Sequence, residues 1–141
     1  MEIKNIEDCF RLRLLRKIQP NSEKTKNSIN MAKKRFQDAK EILKYNIYRS
    51  AITESYMAMF HASRALLYKD GVQEKNHYAV YIYIKEKYKD KIPTSVINLL
   101  NIHRIERHEV VYGLDHEPKK DEARQALNDA KLFIAEIEKL L

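Results

Sequence analysis

A chain of 141 residues with 27 basic and 20 acidic side chains, a formal net charge of +7, is long enough for one continuous core and basic enough to favour polyanionic partners. Its one cysteine, Cys9, excludes an intramolecular disulfide and a cysteine-built zinc site, and its two glycines exclude a glycine-rich phosphate loop. The acidic start MEIKNIEDCF is unlike a signal peptide, and no apolar run approaches the roughly 18 residues of a membrane span, so a single cytoplasmic domain that avoids the membrane is expected.

Apolar periodicity predicts six helical segments. Residues 1–20 should hold a short accessory helix, Ile6 to Ile18, lying as a lid on the bundle through Phe10, Leu14 and Leu15 and ended by Pro20. The core bundle then spans residues 22–141. From Ser22 to Asn46 the positions Ile29, Ala32, Phe36, Ala39 and Leu43 step by three and four along one face. After a break at Asn46, the segment Tyr48 to Lys69 carries Ala51, Ser55, Ala58, Ala62 and Ala65 in the same rhythm. Such a seam of small residues lets a neighbouring backbone come close, which marks this as the central helix. Asp70-Gly71 stops it, with glycine suited to the left-handed position after a helix.

A fourth helix is predicted from Lys75 to Tyr88. Its run AVYIYI has strand-like composition, but no second strand pattern is there to pair with it. Packing in the core or an interface, rather than base stacking, is the expected role of Tyr78, Tyr81, Tyr83 and Tyr88. Ile92-Pro93-Thr94 restarts the chain for a fifth helix to Val111, and Asp115 to Lys119 form a turn. The last helix starts near Lys120, with Ala123, Leu127, Ala130, Ile134, Ile137 and Leu141 as its stripe. The fold class is all-α, an up-and-down four-helix bundle with one or two accessory helices.

Candidate chemistry concentrates in RHEVVYGLDHEP, residues 107–118, and the turn before it. Arg104, Arg107, His103 and His108 fall within about one and a half helical turns. Arg104 and Arg107 are three apart and Arg104 and His108 four apart, a spacing able to clasp a phosphate. The alternative use of the same residues is pairing with Glu106, Glu109 or acids of a neighbouring helix. Tyr112 suits packing with its hydroxyl bonded across an interface, and His116, in a turn, could swing toward Arg107. His61 is expected as a buried, hydrogen-bonded histidine and His77 as a capping or packing residue. The early basic residues, among them Arg11, Arg13, Arg16, Lys17, Lys24 and Lys26, recur around the helices as a solvated surface would require. Metal binding is not expected: His103 and His108 are five apart, about 140° around a helix, and there is no HExxH. No cofactor is implied.

The run AITESYMAMFHASRALLYKDG, then KNHYAVYIYI, resembles the middle of the HEPN superfamily, and RHEVVYG with EARQALNDAKLFIAEIEKLL is similar to its C-terminal half. This resemblance, over roughly residues 25 to 141, implies a four- or five-helix bundle. It also implies a homodimer, often acting with a minimal nucleotidyltransferase in a toxin-antitoxin or regulatory pair. The superfamily's active members are metal-independent ribonucleases marked by an arginine, four to six residues, then a histidine. Here Tyr112 follows Arg107 after four residues, and a phenol is a poor base at neutral pH. The resemblance therefore implies a non-catalytic module in which Arg104, Arg107, His108 and Tyr112 bind a nucleotide, RNA or the nucleotidyltransferase. The alternative is a ribonuclease in which Arg107 steadies the phosphate and His108 or His116 acts as acid or base.

Overall fold

Three asparagines set three of the helix starts. Asn5, Asn21 and Asn76 each adopt extended backbone and accept, at 2.9 to 3.0 Å, the backbone N–H of Asp8, Lys24 and Ala79, one of the orphan donors of a first turn. In the computed structural model, which describes residues 2–141, the elements are α1 (Ile6–Arg11), β1 (Leu15–Lys17), α2 (Ser22–Lys44), α3 (Tyr48–Asp70), β2 (Val72–Glu74), α4 (His77–Tyr88), α5 (Thr94–Tyr112) and α6 (Lys120–Glu138). The all-α bundle is as the periodicity predicts, with α3 at its centre against α2, α5 and α6.

The small-residue seam explains that centre. Ala51, Ser55, Ala58, Ala62 and Ala65 are all fully buried, as are Ala32 and Ala39 of α2 and Ala123, Ala126 and Ala130 of α6, the helices against which α3 packs. With so little side chain between them the helix axes approach closely, and Tyr56, Met59, Leu66 and Phe133 fill the wider gaps. The α6 stripe is shifted from the expected one. Ala126 and Phe133 are buried with it, Leu127 is half-buried, and Leu141 lies exposed beyond the helix end.

The N-terminal segment departs from the expected helix over Ile6 to Ile18. The helix stops at Arg11, Arg13 takes a left-handed φ of 59°, and Leu15–Lys17 pairs antiparallel with Val72–Glu74. So short and basic a segment forms only a marginal helix by itself. Its backbone instead finds partners on β2, extended by Lys75 N–H to the Leu14 carbonyl and Ile18 N–H to that of Gly71, both 2.9 Å. Three-residue strands are too short to leave an alternation signal, so the ribbon is invisible to pattern reading. Gly71 makes the junction possible. It caps α3 at φ +79°, and a Cβ there would stand 2.7 Å from the Ile18 carbonyl oxygen.

The run AVYIYI is helical, in α4, and Tyr81, Tyr83 and Tyr88 are buried there. Asp70 accepts hydrogen bonds from Tyr83 (2.9 Å) and Tyr88 (2.6 Å), tying α4 to the end of α3. The helices richest in apolar residues thus bury them within the chain. Exposed apolar side chains cluster on α5 and just beyond it at Ile102, Ile105, Val111, Tyr112 and Leu114, with others scattered at Met31, Tyr45, Ile47, Leu132 and Leu141.

Candidate functional site

On α5 the four groups near RHEVV separate by depth. His103 is buried, its Nδ1 2.9 Å from Glu106 and its Nε2 2.7 Å from Asp129 of α6. Burial pulls its pKa down, but hydrogen bonds to the two carboxylates outweigh this and raise it above the ordinary histidine value. The acid pairing foreseen for the arginines is therefore made by His103, which is withdrawn from any anion site.

Arg104 and Arg107 form no ion pair among the described residues. The Arg104 Nε donates to the Asn101 side chain at 2.9 Å, and its guanidinium lies 4.9 Å from the ring centre of Tyr78. The Nε of Arg107 is buried without a hydrogen-bond partner. An unmatched buried guanidinium nitrogen is costly unless something else satisfies it.

Opposite them stand residues that the sequence suggested as scaffold. His77, the first residue of α4, stacks on Phe60 with centroids 4.0 Å apart and shares a 2.8 Å hydrogen bond with the buried Tyr56 hydroxyl. Capping of α4 falls to Asn76, not His77. His61 meets the edge of Phe60, and its Nδ1 is 3.4 Å from Arg64 Nη1. Since a guanidinium only donates, that Nδ1 must be unprotonated and the proton sits on Nε2. Arg64 is itself fixed by Glu74 (2.8 Å) and by the hydroxyl of Tyr68.

Both histidines are held neutral. Burial, then the charges of Arg64 and Arg35 and the neighbouring His77, push His61 down to about 4. Burial, then Arg107, Arg104 and Arg64, push His77 down. Burial conversely holds the Tyr56 phenol far above its ordinary range, against the opposing pull of Arg104 and Arg107. Tyr56, Phe60, His77 and the two α5 arginines thus form one electrostatic unit. Such a cationic, carboxylate-poor wall with neutral imidazoles is suited to a phosphate.

The remaining expected site residues lie at its margin. His108 is exposed with its ring 4.8 Å from that of Tyr112, and Tyr112 is 64% exposed rather than packed within the chain. His116 is tied to Glu122 of α6 at 3.0 Å, while Arg49 of α3 holds its carbonyl and that of Val110. A signal for the missed pair existed. His61 and Arg64 are three apart on one helical face, and His77 sits at the positive end of a helix, a combination unusual for plain scaffold. No group of side chains able to hold a metal ion occurs among the described residues.

These histidines should leave a mark on stability. The lowered pKa of His61 and His77 contributes stability that is present above the unfolded value of about 6.5 and lost as pH falls, for His61 toward about 4. The raised pKa of His103 contributes stability that is present below about 6.5 and lost as pH rises through its folded value. Urea midpoints across pH should thus peak near neutrality; His103→Gln should flatten the alkaline limb alone, and an unaltered limb would refute the assignment.

The site thus sits on an all-α bundle in which Tyr56 of the central helix and His77 of α4 feel the charges of two α5 arginines. The chain belongs to the HEPN family, whose domain model matches residues 25–140. It is 32% identical to a UPF0332 protein of Archaeoglobus fulgidus over 108 residues, 75% of this chain and 86% of that one. It is also 29% identical over 123 residues to a protein of Methanocaldococcus jannaschii named "Putative toxin", covering 80% of this chain and 85% of the relative. Among the described residues no helix is long and apolar enough to cross a membrane.

Proposed function

We propose that this HEPN protein is a phosphate-gripping module, binding RNA or a nucleotide through Arg104 and Arg107 as a homodimer. It would work in a toxin-antitoxin-like or regulatory pair with a minimal nucleotidyltransferase. The observation that carries this is the pair of α5 arginines without a carboxylate partner, beside a histidine their charges help keep neutral. The toxin name of one relative supports the setting. His108 and Tyr112, further along α5, supply an exposed rim to the same surface.

The exposed row Ile102, Ile105 and Tyr112, with Leu114 97% exposed after it, supports a second copy as the dimer partner, since each copy would cover the other's apolar stripe. Sedimentation should give about twice the chain mass of 16.8 kDa, and Ile105→Asp should return it to the monomer. RNA affinity should fall steeply with salt because the contacts are cations on phosphates. Affinity that is flat with salt, or absent when salt is low, would remove the nucleic acid part of the proposal.

Metal-independent ribonuclease activity is a second proposal, favoured by one observation. His77 is unprotonated at neutral pH, bonded to Tyr56 and under the influence of Arg107, so a neutral imidazole, weakened as a base by burial and the arginines, stands near a phosphate grip. Cleavage that survives chelator and is lost in His77→Gln would promote it. Loss in His108→Ala with His77→Gln active would move the chemistry to the α5 rim.

A further inference from the structure

His61 and Arg64 also line a groove between α2 and α3. It encloses about 240 Å³ and is lined by Lys24, Asn27, Met31, His61, Arg64 and Tyr68, together with the buried Ser28. None of these seven side chains is acidic. Ser28 is occupied, its hydroxyl donating to the His61 carbonyl at 2.7 Å, which leaves the groove's outward donors to Lys24, Asn27 and the Nε2–H of His61. Lys24 stands with Nζ 5.6 Å from the Tyr68 ring centre, and Arg64 lies 5.2 Å from the same ring centre. Glu74, the carboxylate bonded to Arg64, is only 13% exposed and directed to that guanidinium.

The ribbon adds a cation at the rim. Arg16 is paired in register with Gln73, and directly opposite residues of an antiparallel pair share one face. Gln73 reaches the Tyr68 hydroxyl at 3.5 Å, so the ribbon that carries the exposed Arg16 borders the Tyr68 end of the groove, outside its lining. The groove also runs on into the α5 site. Arg64 lies 5.7 Å from the Phe60 ring centre, His61 meets the edge of that ring, and His77 stacks on it. One row of side chains therefore leads from Lys24 to His77, whose imidazole feels the charges of Arg107 and Arg104.

We propose that the α2–α3 groove is a second backbone subsite for single-stranded RNA, in which Lys24, Asn27 and His61 hold a phosphate, with Arg16 at the rim and Met31 as the apolar wall for a ribose. It rests on the α5 arginines gripping a neighbouring phosphate of the same strand. A volume of about 240 Å³ is below the roughly 300 Å³ at which pockets for drug-sized ligands begin, and suits one phosphate with its sugar. The β1–β2 ribbon would then have the task of bringing an N-terminal cation to the strand.

The test uses the full chain, a labelled RNA of about eight nucleotides, within the usual reach of single-strand sites, and a labelled dinucleotide too short to occupy both subsites. The double variant Lys24→Glu with Arg16→Glu should bind the longer RNA about tenfold more weakly or worse, and the dinucleotide as the unmodified chain does. Arg107→Ala should weaken both. Unchanged affinity of the double variant for the longer RNA, with Arg107→Ala still weakening both, would overturn the subsite and leave the α5 grip standing. Failure of the unmodified chain to bind either probe would overturn both. Inorganic phosphate separates the two sources of the anion. If it shifts the His61 ring resonances while the double variant keeps full affinity for the longer RNA, the groove holds free phosphate and the RNA subsite is refuted.

Discussion

Arg107→Ala is expected to lower RNA affinity by about tenfold to a hundredfold at low salt, the range for losing one charge-assisted hydrogen bond to a phosphate. Three features make this the largest functional effect among single α5 substitutions. Among the described residues Arg107 has no carboxylate to share its charge and its Nε is buried without a partner, while its charge acts on Tyr56 and His77 across the site. Arg104 should matter less, because Asn101 and the Tyr78 ring already hold it. The variant carries an internal check. With Arg107 gone, the His77 pKa should rise toward the ordinary histidine value, visible in an NMR titration without any ligand. A His77 titration that does not move, or RNA affinity that stays unchanged, would show that Arg107 lies outside the functional unit.

His103→Leu should be the most damaging to stability, at about 3 kcal/mol, lowering the melting temperature by roughly 10 °C. The imidazole is 3% exposed and links α5 to α6 between Glu106 and Asp129. Leucine fills most of its volume, so packing alone would change little. What is lost is the cation between two carboxylates, one of them only 14% exposed, which would then face each other across the helices. The figure is at the lower end of the range for breaking a buried pair because both acids retain some water. His103→Gln keeps a donor but no charge and should lie between. A melting temperature unchanged in His103→Leu would mean that the two carboxylates take up protons or turn to solvent at little cost.

The scaffold was legible because its signals are local and repeated. The three- and four-residue steps of Ile29, Ala32 and Ala39, the alanine seam of α3 and Gly71 at its end each survive as read. Where the reading went astray, the deciding partner is distant in sequence. Leu15 joins Glu74 across a ribbon, although the composition around it suggests helix. Composition leaves open whether the apolar and tyrosine side chains of α4 pack in the core or at an interface, and it is α1, α3 and α5 that cover them within the chain.

The candidate site divides in the same way. The sequence by itself determined an all-α bundle, a central helix of small residues and the arginine-rich end of α5, because helix period, side-chain size and charge spacing are carried within a few residues. Only the tertiary structure decided which cation stays free. His103 and Arg107 look equivalent along the chain, but the fold places Glu106 and Asp129 around one and leaves the other beside Tyr56 and His77. Pairing and desolvation depend on what lies across the helix interface, and residues 26 positions apart meet there only once the bundle has closed.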